Sequence, residues 1–265
     1  MKDSTCSPIN ITPLGQSGFR LALADTVIYI DPYLSDHVEK IMGQHLHRQT
    51  AVLMDPAKLV DANHVFISHL HADHCDPETL LPLSLASPYC RFTGPRPVID
   101  YLLNIGLPGD RLEMTDESWK TLNHGLMVHA LPAAHPEIIR DADGRVDCVG
   151  YLFECQGRRI YHSGDTSLTM ELYDLLMDYK PIHVALLPVN ERNFFRERLG
   201  ILGNMSIREA FQLAEDLGVE TLVPMHWDMF LPNTALSEEI WAIYKGARHR
   251  YSFALNLNPF RSQDR

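Results

Sequence analysis

The sequence predicts an α/β fold in which two β-sheets pack face to face and helices cover their outer surfaces. Short β-prone runs dominate the beginning of the chain, and strands alternate with helical segments in each half. Two packed sheets covered by helices allow both kinds of element to bury their apolar faces. No linker, repeat or low-complexity tract interrupts this pattern, so residues 1–265 are expected to form a single domain.

The first half contains mostly strands. Residues 9–31 are expected to form a β-meander, because their β-prone runs are broken by Gly15, Gly18 and Asp25-Thr26. Val65-Phe66-Ile67 is a short apolar strand that leads directly into a histidine cluster. The remaining elements of this half are a helix over 95–105 and short strands within 110–131, 147–155 and 158–163.

The second half alternates strands and helices. Its clearest helix begins at Ser206, where Ser206 and Glu209 form a capping box, and it ends before Gly218. Ile207, Ala210, Phe211, Ala214 and Leu217 fall on one face of this helix. The other expected elements are helices over 168–179 and near 236–246, and strands over 184–187, 221–223 and 251–255.

Composition excludes several classes of partner. The net charge of −11 repels phosphate backbones, so nucleic acid is not expected to bind. No run approaches the ~18 apolar residues that a membrane span needs, so no membrane association is expected. The first residues show no apolar signal segment, and the five cysteines lack C-x-x-C spacing. These features predict a cytoplasmic protein with reduced thiols.

The strongest functional signal is residues 69–74, which read His-Leu-His-Ala-Asp-His directly after a strand. A tight loop at a strand end can turn several of these side chains toward one point, and strand ends are where α/β sites form. Imidazole and carboxylate ligands together suit zinc, manganese or iron. The alternative is a solvated polar loop, which the rarity of this order disfavours.

Three further candidate ligands occupy the same kind of position. His135, Asp165 and His226 each follow an apolar strand closely. A single histidine at a strand end is usually structural, but a series of such sites after the cluster at 69–74 indicates a metal centre.

The order H-x-H-x-D-H, then His, then Gly-Asp-Thr, then His resembles the signature of the metallo-β-lactamase superfamily. The resemblance covers the chain from Ile30-Asp31-Pro32 to His226, and it implies an αββα sandwich of two mixed β-sheets flanked by helices. Within the superfamily, residues 30–34, 161–166, 184–188 and 223–228 are similar to ascorbate-6-phosphate lactonase and related cytoplasmic metal-dependent hydrolases.

The resemblance also implies two divalent metal ions per chain, Zn²⁺ or Mn²⁺. The implied ligands of the first ion are His69, His71 and His135. Those of the second are Asp73, His74 and His226, and Asp165 bridges the two ions. Asp165 stands where some antibiotic-hydrolysing relatives carry cysteine, and an oxygen bridge suits both metals.

Two neighbouring ions can share a hydroxide, since metal binding lowers the pKa of water toward ~7. Asp73 is expected to orient this hydroxide and carry a proton as the catalytic residue. The predicted function is therefore a dinuclear metal-dependent hydrolase acting on a lactone, or another ester or amide, of an anionic sugar or sugar phosphate. The alternatives are a phosphodiesterase acting on a small phosphodiester and a non-catalytic metal-binding protein.

Substrate contacts are predicted in the loop over 190–198, which follows a strand end. Asn190, Arg192 and Arg196 are expected to bind a small anionic substrate, because guanidinium groups match carboxylate and phosphate. A solvated charged loop is the equal alternative. His162, three residues before Asp165, is also expected to contact substrate. The resemblance allows a homo-oligomer, although no stretch of the sequence indicates an interface.

Overall fold

The computed structural model describes residues 9–123, 125–246 and 250–255. Within these residues the chain forms two mixed β-sheets, one of six strands and one of seven. The predicted sandwich of two sheets with helices outside is confirmed by this topology and by the packing described below.

The six-stranded sheet begins with the predicted β-meander. Strands β1 to β3 pair antiparallel, and the sheet continues through parallel pairs from β3 to β6. The spatial order equals the chain order. The strands are β1 (Asn10–Gly15), β2 (Gly18–Leu23), β3 (Thr26–Ile30), β4 (His64–Phe66), β5 (Arg91–Gly94) and β6 (Leu112–Met114).

The seven-stranded sheet contains the rest of the described strands. They are β7 (Trp119–Thr121), β8 (Met127–Pro132), β9 (Val149–Cys155), β10 (Arg158–His162), β11 (Val184–Pro188), β12 (Thr221–Met225) and β13 (Ser252–Phe253), in spatial order β13 to β7. Pairs between β7 and β10 are antiparallel, whereas pairs between β10 and β13 are parallel.

The helices that the structure describes are α1 (His37–Met42), α2 (Pro77–Ala86), α3 (Arg96–Asn104), α4 (Met170–Asp178), α5 (Phe194–Glu197), α6 (Ile207–Leu217) and α7 (Ser237–Gly246). Helix α6 has the predicted capping box, and Gly218 ends it in the left-handed conformation at φ 67°. Sequence analysis did not predict α2. Its leucines occupy both faces, since Leu80 is fully buried and Leu85 is 81% exposed, so no one-sided pattern marks the helix.

Apolar side chains fill three layers. Between the sheets, the ring centroid of Phe66 lies 4.9 Å from that of Tyr151 and 5.3 Å from that of Phe153. Buried residues of α2 and α3 pack with β3 to β5, and those of α4, α6 and α7 pack with β10 to β12. Among the described helices, none is both long and apolar enough to cross a membrane.

The carboxyl ends of the strands place the predicted ligands at one edge of the sandwich. β8 is antiparallel to β9, and β9 is antiparallel to β10, so β8, β10 and β12 all run in the same direction. The Tyr151 hydroxyl donates to the Ile67 carbonyl at 2.8 Å, joining the two sheets beside the end of β4. Loops from both sheets therefore meet at this edge.

Candidate metal centre

The loop after β4 folds tightly enough to gather its ligands. The N–H groups of His74 and Cys75 both donate to the His71 carbonyl, at 3.0 and 2.8 Å. Asp76 then accepts a hydrogen bond from the Glu78 N–H and begins α2. The turn brings the side chains of His69, His71, Asp73 and His74 toward one point, as the spacing predicts.

The structure brings all seven predicted ligands together. Their donor atoms form three overlapping sets, each lying within 4.8 Å: His69, His71 and His135; His69, His74 and Asp165; and Asp73, His74 and His226. His71 Nδ1 lies 3.0 Å from His69 Nε2 and 3.2 Å from His135 Nε2. The first and third sets are the two groups that the resemblance implies.

Asp165 lies between these two groups. Its Oδ2 is 3.1 Å from His226 Nε2 and 3.8 Å from His135 Nε2, and its Oδ1 is 3.5 Å from His74 Nε2. One carboxylate therefore faces ligands of both predicted ions, which is the geometry that a bridging ligand needs.

The donor set fits divalent cations. His74 Nε2 and Asp165 Oδ1 are buried side-chain atoms that lie 3.5 Å apart and make no hydrogen bond among the residues that the structure describes. Buried polar atoms without partners cost about 1–3 kcal/mol each, so such atoms in a folded protein indicate a missing partner. Imidazole nitrogens and carboxylate oxygens at this spacing suit Zn²⁺ or Mn²⁺.

Ion pairs link the histidines and carboxylates of the centre. Burial lowers the pKa of His226, but the carboxylates of Asp165 and Asp73 outweigh burial and raise this pKa to about 9. Burial lowers the pKa of His135 to about 4. Burial also opposes ionisation of Asp165, yet His226 and His74 hold its pKa well below the usual range. A metal ion bound here would displace a proton from His226, whereas His135 is already neutral at pH 7.

Asp31 orients one of the ligands. Its Oδ1 accepts from the Ser68 N–H at 2.7 Å, and its Oδ2 accepts from Ser68 Oγ at 2.5 Å and from His74 Nδ1 at 2.8 Å. This contact leaves Nε2 of His74 free to face the centre, as metal-binding histidines require. Sequence analysis gave Asp31 no role, although it follows β3 just as the ligands follow their strands.

Gln16 also contacts the centre, and no sequence pattern marked it. It lies in the turn between β1 and β2 at φ 54°. Its Nε2 donates to Asp73 Oδ2 at 2.7 Å, and its carbonyl accepts from the His226 N–H at 3.1 Å. His226 itself has φ 58°, a conformation that few non-glycine residues adopt, so this backbone hydrogen bond helps to hold the ligand.

The turn before Asp165 requires glycine. Gly164 has φ 60°, and a Cβ there would lie 2.6 Å from the Val149 carbonyl oxygen and 2.9 Å from Ser68 Cβ. This close approach brings the Asp165 turn against the loop of the other sheet. It is the contact that lets ligands from both sheets converge.

The predicted substrate contact of His162 needs correction. His162 is fully buried, its Nε2 lies 2.8 Å from the Ser17 carbonyl, and its Nδ1 accepts from the Gly164 N–H at 3.1 Å. Both ring nitrogens are therefore occupied behind the centre, where His162 supports the turn that carries Asp165.

The predicted contacts of Asn190, Arg192 and Arg196 also need correction. Asn190 is fully buried, donating to Asn233 and accepting from Asn204 at 3.0 Å each. Arg192 is an exposed residue that pairs with Glu197 at 2.5 Å.

Arg196 donates to backbone carbonyls. Its guanidinium bonds the carbonyls of Asn190, Glu191 and Thr234, the last two at 2.6 and 2.5 Å, so it ties loops together. The structure therefore engages Asn190, Arg192 and Arg196 in contacts within the protein, and loop composition does not show such contacts.

A cavity of about 150 Å³ opens above the predicted metal ligands. Its floor contains His71, Asp73, His135, Asp165 and His226, and its walls are Val38, Met42, Leu46, Ile201, Leu202 and Phe230. The segment over residues 37–48 thus contributes apolar side chains to the cavity.

Known proteins share this fold and sequence pattern. A UPF0173 metal-dependent hydrolase from Alkaliphilus metalliredigens is 27% identical over 237 residues, or 87% of this chain and 90% of that protein. A probable L-ascorbate-6-phosphate lactonase from Salmonella heidelberg is 25% identical over 226 residues, or 80% of this chain and 62% of the lactonase.

Structure comparison agrees on the fold. The metallo-β-lactamase fold protein YhfI from Bacillus subtilis superposes with a TM-score of 0.65 at 16% identity, covering 93% of this chain and 95% of that one. The family described as "Beta-lactamase superfamily domain" matches residues 26–227, and this range includes the whole predicted ligand set. The chain therefore belongs to the metallo-β-lactamase superfamily of metal-dependent hydrolases.

Proposed function

We propose that the chain is a dinuclear metal-dependent hydrolase that cleaves a lactone, or another ester or amide, at the cavity above the ligand cluster. The observation that carries this proposal is the overlap of the three ligand sets, which share His69 and His74 and contribute five of their seven residues to the cavity floor. Seven donors exceed what one tetrahedral ion uses, so the number of ligands favours a pair of ions.

When bound, two divalent ions supply an activated water at neutral pH and polarise the carbonyl that is attacked. Asp73 is the residue of this chain best placed to move the proton. Its side chain is 16% exposed and lines the cavity, and Gln16 fixes one of its oxygens. Asp73 would accept a proton from the attacking water and donate it to the leaving oxygen or nitrogen.

The anionic sugar of the predicted substrate is supported by sequence features alone. It came from the resemblance to ascorbate-6-phosphate lactonase and from Arg192 and Arg196, whose guanidinium groups are engaged away from the cavity. We therefore propose the type of bond that is cleaved, and the anionic sugar stays a prediction of the sequence.

Hydrolysis by metal-loaded protein tests this function. Protein reconstituted with Zn²⁺ or Mn²⁺ is assayed on chromogenic esters, on lactones and on bis(4-nitrophenyl) phosphate. We expect ester or lactone hydrolysis that chelator abolishes, and a loss on the order of 10²–10⁴-fold in Asp73→Asn. Asp143→Asn is the matched control, because the Asp143 carboxylate pairs with Arg96 and Arg145 on the surface.

Two outcomes would contradict the proposal. Faster turnover of the phosphodiester than of any ester or lactone would favour a phosphodiesterase. Full metal loading without hydrolysis of any of these substrates would indicate a non-catalytic metal-binding protein.

A further inference from the structure

We propose that the cavity accepts a neutral, apolar group about the size of a benzene ring, next to the bond that is cleaved. The cleaved bond rests on the proposed function, whereas the apolar pocket rests on the cavity walls alone. Met42 and Leu202 are the residues inferred to select this group.

The apolar walls come from two separate segments. Val38 and Met42 of α1, with Leu46 from the following turn, form one wall, and Ile201 and Leu202 from the loop before α6 contribute another. Val38, Leu46 and Phe230 are buried together in one apolar cluster, so this part of the cavity has a fixed shape. Met42 is 54% exposed and Leu202 is 36% exposed, which places these two side chains at the mouth.

The cavity offers an anion no cation besides a bound metal. Among the described lining residues there is no lysine or arginine. The lining carboxylates and histidines belong to the predicted ligand set, and Asn233 is the other polar side chain of the lining.

Two arginines of the flanking segments, Arg48 and Arg196, lie outside the cavity lining and donate to backbone carbonyls. Arg48 donates to the carbonyls of Tyr33 and Ser35 at 3.2 and 2.8 Å, and Arg196 donates to loop carbonyls. A charged group, or a sugar with several hydroxyls, would leave water without matching partners, which carries a desolvation penalty.

The volume sets the size of the accepted group. An apolar protein cavity of about 150 Å³ is known to hold one benzene molecule. The cavity here has about the same volume, including the space over the ligands. The volume therefore limits the buried group to at most one ring or a short branched chain beside the reacting carbonyl, and anything longer extends past Met42 and Leu202 into solvent.

A series of methyl esters tests the preference. The methoxy group is too small to fill the pocket, so differences between the esters report on the acyl group. Acid release is measured with Zn²⁺-loaded protein on methyl acetate, methyl butanoate, methyl phenylacetate and monomethyl succinate. We expect kcat/KM to rise about fourfold for each buried methylene, to be highest for the phenylacetate, and to be lower for the succinate than for the butanoate.

Variants at the mouth locate the preference. Met42→Gln and Leu202→Gln are expected to reduce the ratio of kcat/KM for methyl phenylacetate to that for methyl acetate by about tenfold. Ile41→Gln and Leu199→Gln are matched controls, since both residues are more than half exposed, at 57% and 65%, and lie outside the cavity lining. The controls should keep the wild-type ratio.

A binding measurement separates this inference from the proposed function. Toluene is titrated into the Zn²⁺-loaded protein while the methyl resonance of ¹³C-labelled Met42 is followed by NMR. We expect saturable binding that Leu202→Gln weakens about tenfold and Leu199→Gln does not weaken. If no ester is hydrolysed, the proposed function fails, and this titration alone decides whether the apolar pocket exists.

Three results would overturn the inference. These are ester hydrolysis with no dependence on the acyl group, faster hydrolysis of monomethyl succinate than of methyl butanoate, and no saturable toluene binding.

Discussion

Asp31→Asn is predicted to weaken metal binding although Asp31 is not a predicted ligand. Asp31 Oδ2 accepts from both Ser68 Oγ and His74 Nδ1, and its Oδ1 accepts from the Ser68 N–H. Asparagine keeps the oxygen that the Ser68 N–H needs, but it presents an amide N–H₂ to His74. His74 Nδ1 can accept that hydrogen bond only when the proton of the ring is on Nε2. Nε2 is the atom that faces the metal centre, so its lone pair is then not available to the metal.

The magnitude follows from this change of tautomer. Altering the hydrogen-bond partner of a metal-binding histidine commonly costs 10–100-fold in metal affinity. That range corresponds to about 1.4–2.7 kcal/mol. Because His74 is assigned to the second ion only, we expect the loss at one site, with the affinity of the first ion nearly unchanged.

Competition with a metal chelator measures the effect. Wild-type and Asp31→Asn protein are equilibrated with buffered free Zn²⁺, and bound zinc is determined by elemental analysis. Asp61→Asn is the matched control, since that carboxylate contacts Arg20 and Tyr29 instead of the metal centre. If Asp31→Asn binds both ions as tightly as wild type, then Asp31 does not set the orientation of His74, and the reasoning is wrong.

Three further predictions concern the centre and its flanking loop. Reconstituted wild-type protein should bind two zinc ions per chain. Asp165→Ala should bind one ion and lose hydrolytic activity while keeping its circular dichroism spectrum, because the two cations would repel each other without the carboxylate. Elemental analysis showing two ions in the variant would contradict the bridging role. Zinc affinity of the second site should fall at least tenfold per pH unit below the His226 pKa of about 9, since the ion must displace that proton and carboxylates also outweigh burial to raise the pKa of His74; a flat profile in titration calorimetry from pH 6.5 upward would contradict this. Arg196→Ala should lower the free energy of unfolding by about 1–3 kcal/mol through loss of hydrogen bonds to backbone carbonyls, with equal losses of kcat/KM on neutral and anionic esters; a loss confined to anionic esters would restore Arg196 as a substrate contact.

The sequence predicted the parts of the site that local rules determine. Each predicted ligand follows a strand whose apolar pattern is visible in the chain, and parallel strands bring such positions to one edge. Asp31 obeys the same rule and could have been found by applying it to β3. Gln16 could not, because its contact with Asp73 depends on how the turn between β1 and β2 meets a loop 57 positions away.

Substrate residues were predicted less well for a physical reason. Arginine is able to bind carboxylates, phosphates or backbone carbonyls, and composition does not show which acceptor is in reach. Arg196 found its acceptors in the loops beside it. The cavity walls were missed because Val38 and Leu46 occupy a segment with no helical period long enough to recognise, six residues in α1 and three in the turn after it.

The ligands of the centre are divided between the two sheets. His69, His71, Asp73 and His74 follow β4, whereas His135, Asp165 and His226 follow strands of the other sheet. Metal ions bound there would tie the two halves of the chain together, and a fragment ending before residue 135 would retain only the first four donors. Metal supply and global stability are therefore linked: free ion at 100 times its Kd adds about 2.7 kcal/mol to the free energy of unfolding. In a cell short of the metal, both the amount of folded protein and its activity would fall.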